Sequence, residues 1–303
     1  LTASTVSSCR TRATESGRSH QLNRNDAVQQ TLNIIGAGHV GRVFGRLFSL
    51  QAGLTVQDVL NRSQASAEAA LAFIGSGRAV ADMHAMRRAD IYLLAVSDDQ
   101  IEHCAGQLAQ HGLLDAATVV FHCSGALSSQ ALAAAAAAGA ACASLHPVRS
   151  FADPARVASD FDATFCSLEG DARALAVLQP AVLAIGGRAL TIDASSKTLY
   201  HAASVFASNY LSSLADVALR TYAAAGIEPA LAAELAAPLM RETLDNILRL
   251  GPAAALSGPI ARGDFKTVAR QQAALSAWDS EAGALYQAFV APTAALARRK
   301  AAL

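Results

Sequence analysis

From residue 31 to about residue 192, short apolar runs alternate with alanine-rich stretches of helical spacing; beyond that the pattern changes. The apolar runs cover residues 31–35, 55–60, 91–96, 118–122, 141–145, 163–168 and 189–192, and most are followed by Gly, Ser, Asp or Pro. Strands separated by helical stretches are the signature of parallel β-α units, so this half reads as an open, doubly wound, mostly parallel α/β sheet. The six-alanine run at residues 133–138 belongs on a crossover helix, because alanine is the best helix former. After Asp193 only helical spacing remains, over about 194–225, 229–250, 265–276 and 280–299, punctuated by Gly226, Gly251-Pro252, Gly258-Pro259 and Gly263. Pro238 should kink the second of these helices by removing a donor. We therefore expect a flexible tail over 1–30, a sheet domain over 31–192 and an all-helical substrate and dimerisation domain over 193–303.

The composition supports this division. A chain of 303 residues suggests about two domains, and 52% hydrophobic with 16% charged residues excludes general disorder. The 24 Lys+Arg cancel the 24 Asp+Glu, leaving no positive field for nucleic acid. The five cysteines contain no Cys-x-x-Cys pair, so no metal knuckle or disulfide scaffold is expected and a cytoplasmic setting fits. The most apolar run, 131–145, is broken by Gly139 and is shorter than the roughly 20 residues that cross a bilayer, so no membrane partner is expected. Residues 1–30 lack the apolar core of a signal peptide.

The first apolar run leads into Gly36-Ala37-Gly38-His39-Val40-Gly41, a G-x-G-x-x-G sequence, and an apolar helical run leads out. In that setting the first glycine permits a tight turn, the second lets backbone approach a pyrophosphate, and the third lets helix pack on strand, while the helix N-terminus supplies amides and positive dipole. The second run ends in Asn61-Arg62-Ser63, not the acidic residue that grips the ribose of NAD; Asp58 comes two to three residues early. An arginine there can pair with a 2′-phosphate, so NADP is favoured over NAD, the alternative being that Arg62 is a solvated surface charge.

Later strands also end in small polar residues. Val96-Ser97 is placed near the cofactor's ribose and Ser124-Gly125 near the nicotinamide, although helix capping by either serine is an alternative. His146 faces the cleft or satisfies a backbone group. On one continuous helix Lys197, His201, Ser204, Ser208 and Ser212 fall within about 80° of one another, with Leu199, Ala203, Phe206, Tyr210, Leu214 and Val217 expected as the buried face opposite. Lys197 and His201, four residues apart, can reach one oxygen atom, and either could donate a proton. Arg262 is a candidate carboxylate ligand or a surface ion pair, and Asp264 is suited to cap the next helix.

The chain resembles bacterial proteins that join a Rossmann-like NAD(P)-binding domain to a helical domain of unknown function 2520. The resemblance covers about residues 31–290. It rests on the glycine motif, His122-Cys-Ser-Gly-Ala126, Ser144-Leu-His-Pro147, Tyr200-His-Ala-Ala203, Ala207-Ser-Asn-Tyr210 and Ser257-Gly-Pro-Ile-Ala-Arg-Gly-Asp264. That layout is similar to 6-phosphogluconate, β-hydroxyacid and pyrroline-5-carboxylate reducing enzymes, which implies a helical domain that dimerises and a substrate held between domains. In β-hydroxyacid dehydrogenases a lysine and an asparagine one turn later act on substrate. Lys197 and His201 occupy comparable ground, with Asn209 further along, but Asp193-Ala-Ser-Ser196 replaces the glycine-rich approach to that lysine.

The expectation is an NADP-dependent oxidoreductase, homodimeric, moving hydride between nicotinamide and a small carbonyl, imine or hydroxy compound. In it Lys197 and His201 handle the proton, while Ser124, Gly125, His146, Asn209 and Arg262 border the substrate. Two alternatives stand beside it: a non-catalytic NADP(H)-binding sensor or assembly protein, and an oxidoreductase using a deazaflavin partner.

Overall fold

The computed structural model describes residues 29–302; the tail expected at the start of the chain lies outside them up to residue 28. The chain forms two compact units, the first ending at Ala194 and the second beginning at Ser195.

The first unit runs β1 (Thr31–Ile35), α1 (His39–Gln51), β2 (Thr55–Leu60), α2 (Gln64–Ile74), β3 (Arg78–Val80), β4 (Ile91–Leu94), α3 (Asp98–Gln110), β5 (Val119–His122), α4 (Ala133–Ala137), β6 (Ala141–Pro147), α5 (Pro154–Ser159), β7 (Phe165–Gly170), α6 (Ala172–Ala184) and β8 (Arg188–Thr191). These strands form one eight-stranded sheet in the order β3-β2-β1-β4-β5-β6-β7-β8. All neighbours are parallel except β6 and β7. The alternating side chains of β4 show why both faces must be covered. Ile91 and Leu93 join Val43, Phe44, Leu47 and Phe48 of α1 on one face, while Tyr92 and Leu94 join Ile101, Ala105 and Leu108 of α3 on the other. The chain leaves β1 for β2 on one side and places β4 on the other, so the strand order reverses beside β1. Open α/β sheets bind ligands at the carboxyl end of such a reversal.

One polar cluster interrupts this core. Asn33, buried in β1, donates from Nδ2 to the Arg87 carbonyl at 2.6 Å and accepts the Asp58 amide at 3.0 Å. The buried Asp58 carboxylate in turn receives Arg78 at 3.0 Å, Arg87 at 2.7 Å and the Arg87 amide at 2.7 Å. Burial by itself would raise the Asp58 pKa, but hydrogen bonds from Arg87 and Arg78 outweigh it and hold the carboxyl below its ordinary value. The cluster ties the connection between β3 and β4 to β1 and β2, and the Asp58 carboxylate is taken up by these contacts.

Asp58→Ala is expected to destabilise the protein by about 3 kcal/mol near neutral pH, because an amide and two guanidinium groups lose their acceptor. A carboxylate with a lowered folded pKa stabilises above its unfolded value, near 3.9, and that contribution fades as pH falls through the folded pKa. Denaturant melts of the two proteins should therefore differ at pH 7 and converge in acid; equal stability at pH 7 would contradict the assignment.

The second unit contains α7 (Lys197–Ala207), α8 (Asn209–Ala224), α9 (Pro229–Leu250), α10 (Pro252–Ala255), α11 (Phe265–Trp278) and α12 (Ser280–Ala301). Its caps are built from acidic side chains. Glu228, Asp264 and Asp279 accept the first-turn amides of α9, α11 and α12, and Asp279 also receives Arg220 at 2.8 Å. Pro238 sits inside α9, and the helix continues through it.

The structure corrects the continuous helix expected over 194–225. The backbone breaks at Ser208, with φ −131 and ψ −66, so residues before and after it do not share one helical wheel. The stripe expected to be buried is open instead: Leu199 is 79% and Phe206 69% exposed, and Tyr210 and Leu214 are exposed as well. Among the described residues of this unit, the buried apolar side chains are Ala232, Ala236, Val268 and Ala282.

Candidate functional site

The turn between β1 and α1 is fixed by backbone and one side chain. Gly36 N–H donates to the Leu60 carbonyl at 2.8 Å, and Ala37 N–H donates to Asn61 Oδ1 at 2.6 Å. Asn61 thus holds the turn against the end of β2. The three glycines have three different reasons to be glycine. Gly36 has φ +86, and a Cβ there would lie 2.6 Å from Val96 Cγ1. A Cβ on Gly41 would lie 2.7 Å from the Gly36 carbonyl oxygen, so the third glycine lets α1 pack closely. A Cβ on Gly38 would meet nothing within 4 Å. The packing around the turn therefore leaves the space beside Gly38 open.

Gly38 caps α1 without a side-chain hydrogen bond, so no capping side chain occupies the first amides of the helix. His39 Nδ1 lies 2.7 Å from the Phe151 carbonyl, which makes that nitrogen the donor and leaves Nε2 unprotonated in the neutral ring.

Gly36, Ala37 and Gly38 open onto a cavity of about 1010 Å³, large enough for an extended ligand. Asn61, Arg62, Val96 and Ser97, expected at the cofactor from sequence, line the same cavity. His39, Val40 and Gly41 complete the turn, and Ser63 caps α2 by accepting the Ser66 amide. Reading the sequence missed Arg42, Ser66, Asp82, His84, Gln100 and His111, which also line it. Hydrogen bonds from Ser97 and Gln100 lower the pKa of Asp99 on the same wall.

Ser124 is buried and its hydroxyl shapes the loop after β5. It donates to Asp98 Oδ2 at 2.9 Å and accepts the amides of Ala126 and Leu127 at 3.2 and 3.0 Å. His122 secures the same loop: Nδ1 accepts the Ser124 amide at 3.1 Å and Nε2 donates to the Ser128 carbonyl at 3.1 Å. Gly125 is buried and His146, on β6 opposite Ser167 of β7, is half-buried. Burial pushes the thiols of Cys142 and Cys166 up to about 11 and about 12, so neither is a thiolate nucleophile near neutral pH.

In the second unit Lys197 opens α7 and is 1% exposed, with His201 half-buried one turn later. The sequence paired these two correctly on one helix. Asn209 begins α8 and is exposed, beyond the break at Ser208. Arg262 is exposed at the end of a short 3-10 turn, and Asp264 caps α11 by accepting the Thr267 amide at 3.1 Å. Among the described residues no cluster of His, Cys, Asp and Glu is arranged to hold a metal, and no helix is long and apolar enough to cross a membrane.

Comparison with known families matches a Rossmann-like domain over residues 19–147 and the domain of unknown function DUF2520 over residues 164–293. The chain is a Rossmann-like domain followed by a DUF2520 domain. Protein TM1727 from Thermotoga maritima is similar in structure, with 28% identity, a TM-score of 0.68 and coverage of 89% of this chain and 99% of its own. BF3122 from Bacteroides fragilis, a candidate NADP oxidoreductase, has 17% identity, a TM-score of 0.73 and coverage of 88% and 98%. An imine reductase from Myxococcus stipitatus, solved with NAD+, has 17% identity, a TM-score of 0.55 and coverage of 85% and 91%. No curated protein matches the sequence. The DUF2520 match begins at residue 164 and ends at residue 293, so it takes in β7, α6 and β8 of the sheet as well as α7 to α11 and the first part of α12.

Proposed function

We infer that this Rossmann-like/DUF2520 chain is an NADP-dependent oxidoreductase acting on a small carbonyl, imine or hydroxy compound. The observation that carries the reading is the β1-α1 turn, where Gly38 faces open cavity and the α1 amides have no capping side chain. That cradle fits a diphosphate: the amides and positive end of α1 would meet its charge, and the bare Gly38 backbone would admit it. The amides of His39 and Val40 would complete the grip, with Ala37, held by Asn61, and the close-packed Gly41 shaping the turn that presents them, while Val96 and Ser97 would border the ribose on the β4 side. Arg62, exposed where β2 ends, would pair with a 2′-phosphate, and Ser63 sets the start of α2 beside it. The neighbours named for NADP oxidoreductase and imine reductase activity lend support through a shared fold.

Bound nicotinamide dinucleotide supplies or takes up hydride. The remaining work falls to this chain's side chains. Lys197 and His201, adjacent on one face of α7, are positioned to give or take the proton at the reacting oxygen or nitrogen. Ser124 and Gly125 shape the loop beside the nicotinamide. His146, Asn209 and Arg262 are the proposed substrate contacts, with Arg262 suited to a carboxylate.

The open apolar side chains of α7 to α9, including Leu199, Phe206, Leu239 and Leu248, contrast with the few buried ones in this unit, and a second copy of the chain is the proposed cover. Light scattering at micromolar concentration should give the mass of a dimer; a monomeric mass would remove that assignment.

Activity is tested in two steps. NADPH should raise the melting temperature more than NADH or a deazaflavin, since a ligand that binds only the native state stabilises it. A screen of small 2-oxo acids and imines should then find a substrate that consumes NADPH absorbance. Binding without turnover across the screen would favour a sensor, and a shift with deazaflavin plus turnover between it and NADP would favour the deazaflavin alternative.

A further inference from the structure

The cavity contains a second cation whose position follows from the packing of α1 on α2. β1 and β2 are parallel neighbours, so the helices that follow them start from the same end of the sheet. Arg46 of α1 donates to the Phe73 carbonyl in the last turn of α2 at 2.7 Å, which places that stripe of α1 against α2. Arg42 lies one turn earlier on the same stripe, towards the carboxyl ends of the strands. There it lines the cavity together with Arg62 and Ser66.

Arg42 is held in place yet keeps its binding edge. Its Nε donates to the Gly38 carbonyl at 3.0 Å, which fixes the guanidinium beside the glycine turn, and its terminal nitrogens have no partner among the described residues. No described carboxylate pairs with Arg42 or Arg62. Asp82 accepts the Ala85 amide at 2.9 Å, and Asp99 is engaged by Ser97 and Gln100. Two guanidinium groups in one cavity, neither in an ion pair with a described carboxylate, form a site for an anion with several oxygens.

The geometry points to Arg42 as a specificity-determining residue that, jointly with Arg62, binds the 2′-phosphate of the adenosine ribose. This assignment rests on the reading of the cavity as a dinucleotide site. The α1 amides provide for the diphosphate, and Arg42 faces the α2 side, where a phosphate on the ribose would lie next to Arg62. NADP would thus be chosen over NAD by a pair of cations on two different helix-strand units, with the lone Arg62 of the sequence motif supplying only half.

Calorimetric titration of the full chain with NADPH, NADH, 2′,5′-ADP and 5′-ADP separates the possibilities. Arg42→Ala should weaken NADPH and 2′,5′-ADP by at least about tenfold, the usual scale for one charge-assisted contact, and leave NADH and 5′-ADP within about twofold. Arg42→Lys, which keeps charge but not the planar fork, should fall between. Equal losses for all four ligands would place Arg42 at the diphosphate or in the fold, and no loss would remove it from the site; either result overturns the assignment. A parental protein that binds none of the four would instead reject the dinucleotide reading on which the assignment rests.

Discussion

A Gly38→Val protein is expected to melt within about 2 °C of the parent and to bind NADPH at least about 100-fold more weakly, a loss of about 2.7 kcal/mol. Both halves of this expectation come from one observation. A Cβ at position 38 meets no protein atom within 4 Å, so the fold has room for a side chain. The same space is where a diphosphate would approach the α1 amides, and a valine would hold it away from them. Gly36 provides the contrast. A Cβ there is 2.6 Å from Val96 and 2.8 Å from the Ala95 carbonyl, on a backbone at φ +86. Gly36→Ala should therefore lower the melting temperature by about 5 °C or more, because left-handed strain and a backbone clash act together. If Gly38→Val destabilised the protein as Gly36→Ala does, the open space at position 38 would have a structural purpose instead of a ligand-binding one.

The second large effect concerns the proton. With a turnover substrate in hand, His201→Ala should lower kcat by about 100-fold or more while changing the Kd for NADPH less than about twofold, the range associated with a positioned acid or base. Lys197→Met tests the other member of the pair in the same assay. If Lys197 is the donor and His201 only positions it, the Lys197 variant should lose more, and His201→Gln should recover part of the rate that His201→Ala loses. Unchanged kcat in His201→Ala would remove His201 from the mechanism, and a matching loss of NADPH affinity would show that the substitution had disturbed the fold.

The sheet was largely legible because its strands carry strong local signals. β1, β2 and β4 to β8 all overlap runs of apolar residues closed by turn formers, and the helices from 229 onward follow capping and glycine signals that the structure retains. β3 escaped notice for a physical reason. Its three residues, Arg78, Ala79 and Val80, are too few for any periodicity, and its place in the sheet is secured by Arg78 reaching Asp58 twenty residues away. That ion pair is invisible to a window on the sequence. The same limit hid Arg42, Asp82, His84 and His111, which meet in one cavity only after three β-α units have folded side by side.

The misreading of residues 194–225 has a different cause. Nothing in a run such as Ala207-Ser-Asn-Tyr210 forces a helix to stop, since serine and asparagine are tolerated in helices, yet the backbone turns at Ser208 and resets the phase. Once the phase is reset, a helical wheel drawn through the break assigns a buried face that the structure leaves open. Lys197 and His201 survived the error because both precede Ser208. Asn61 is expected beside Arg62 at the end of the second strand, and the structure gives it a contact no sequence window shows: its side-chain oxygen accepts the Ala37 amide and braces the turn between β1 and α1.

The most direct test of the account is a crystal structure of the full chain with NADPH. The diphosphate is expected on the backbone amides that open α1, within hydrogen-bond distance of the amides of His39 and Val40 and in van der Waals contact with Gly38, and the 2′-phosphate beside Arg62. A diphosphate bound elsewhere, or a turn filled by a protein side chain while the cofactor is present, would contradict it.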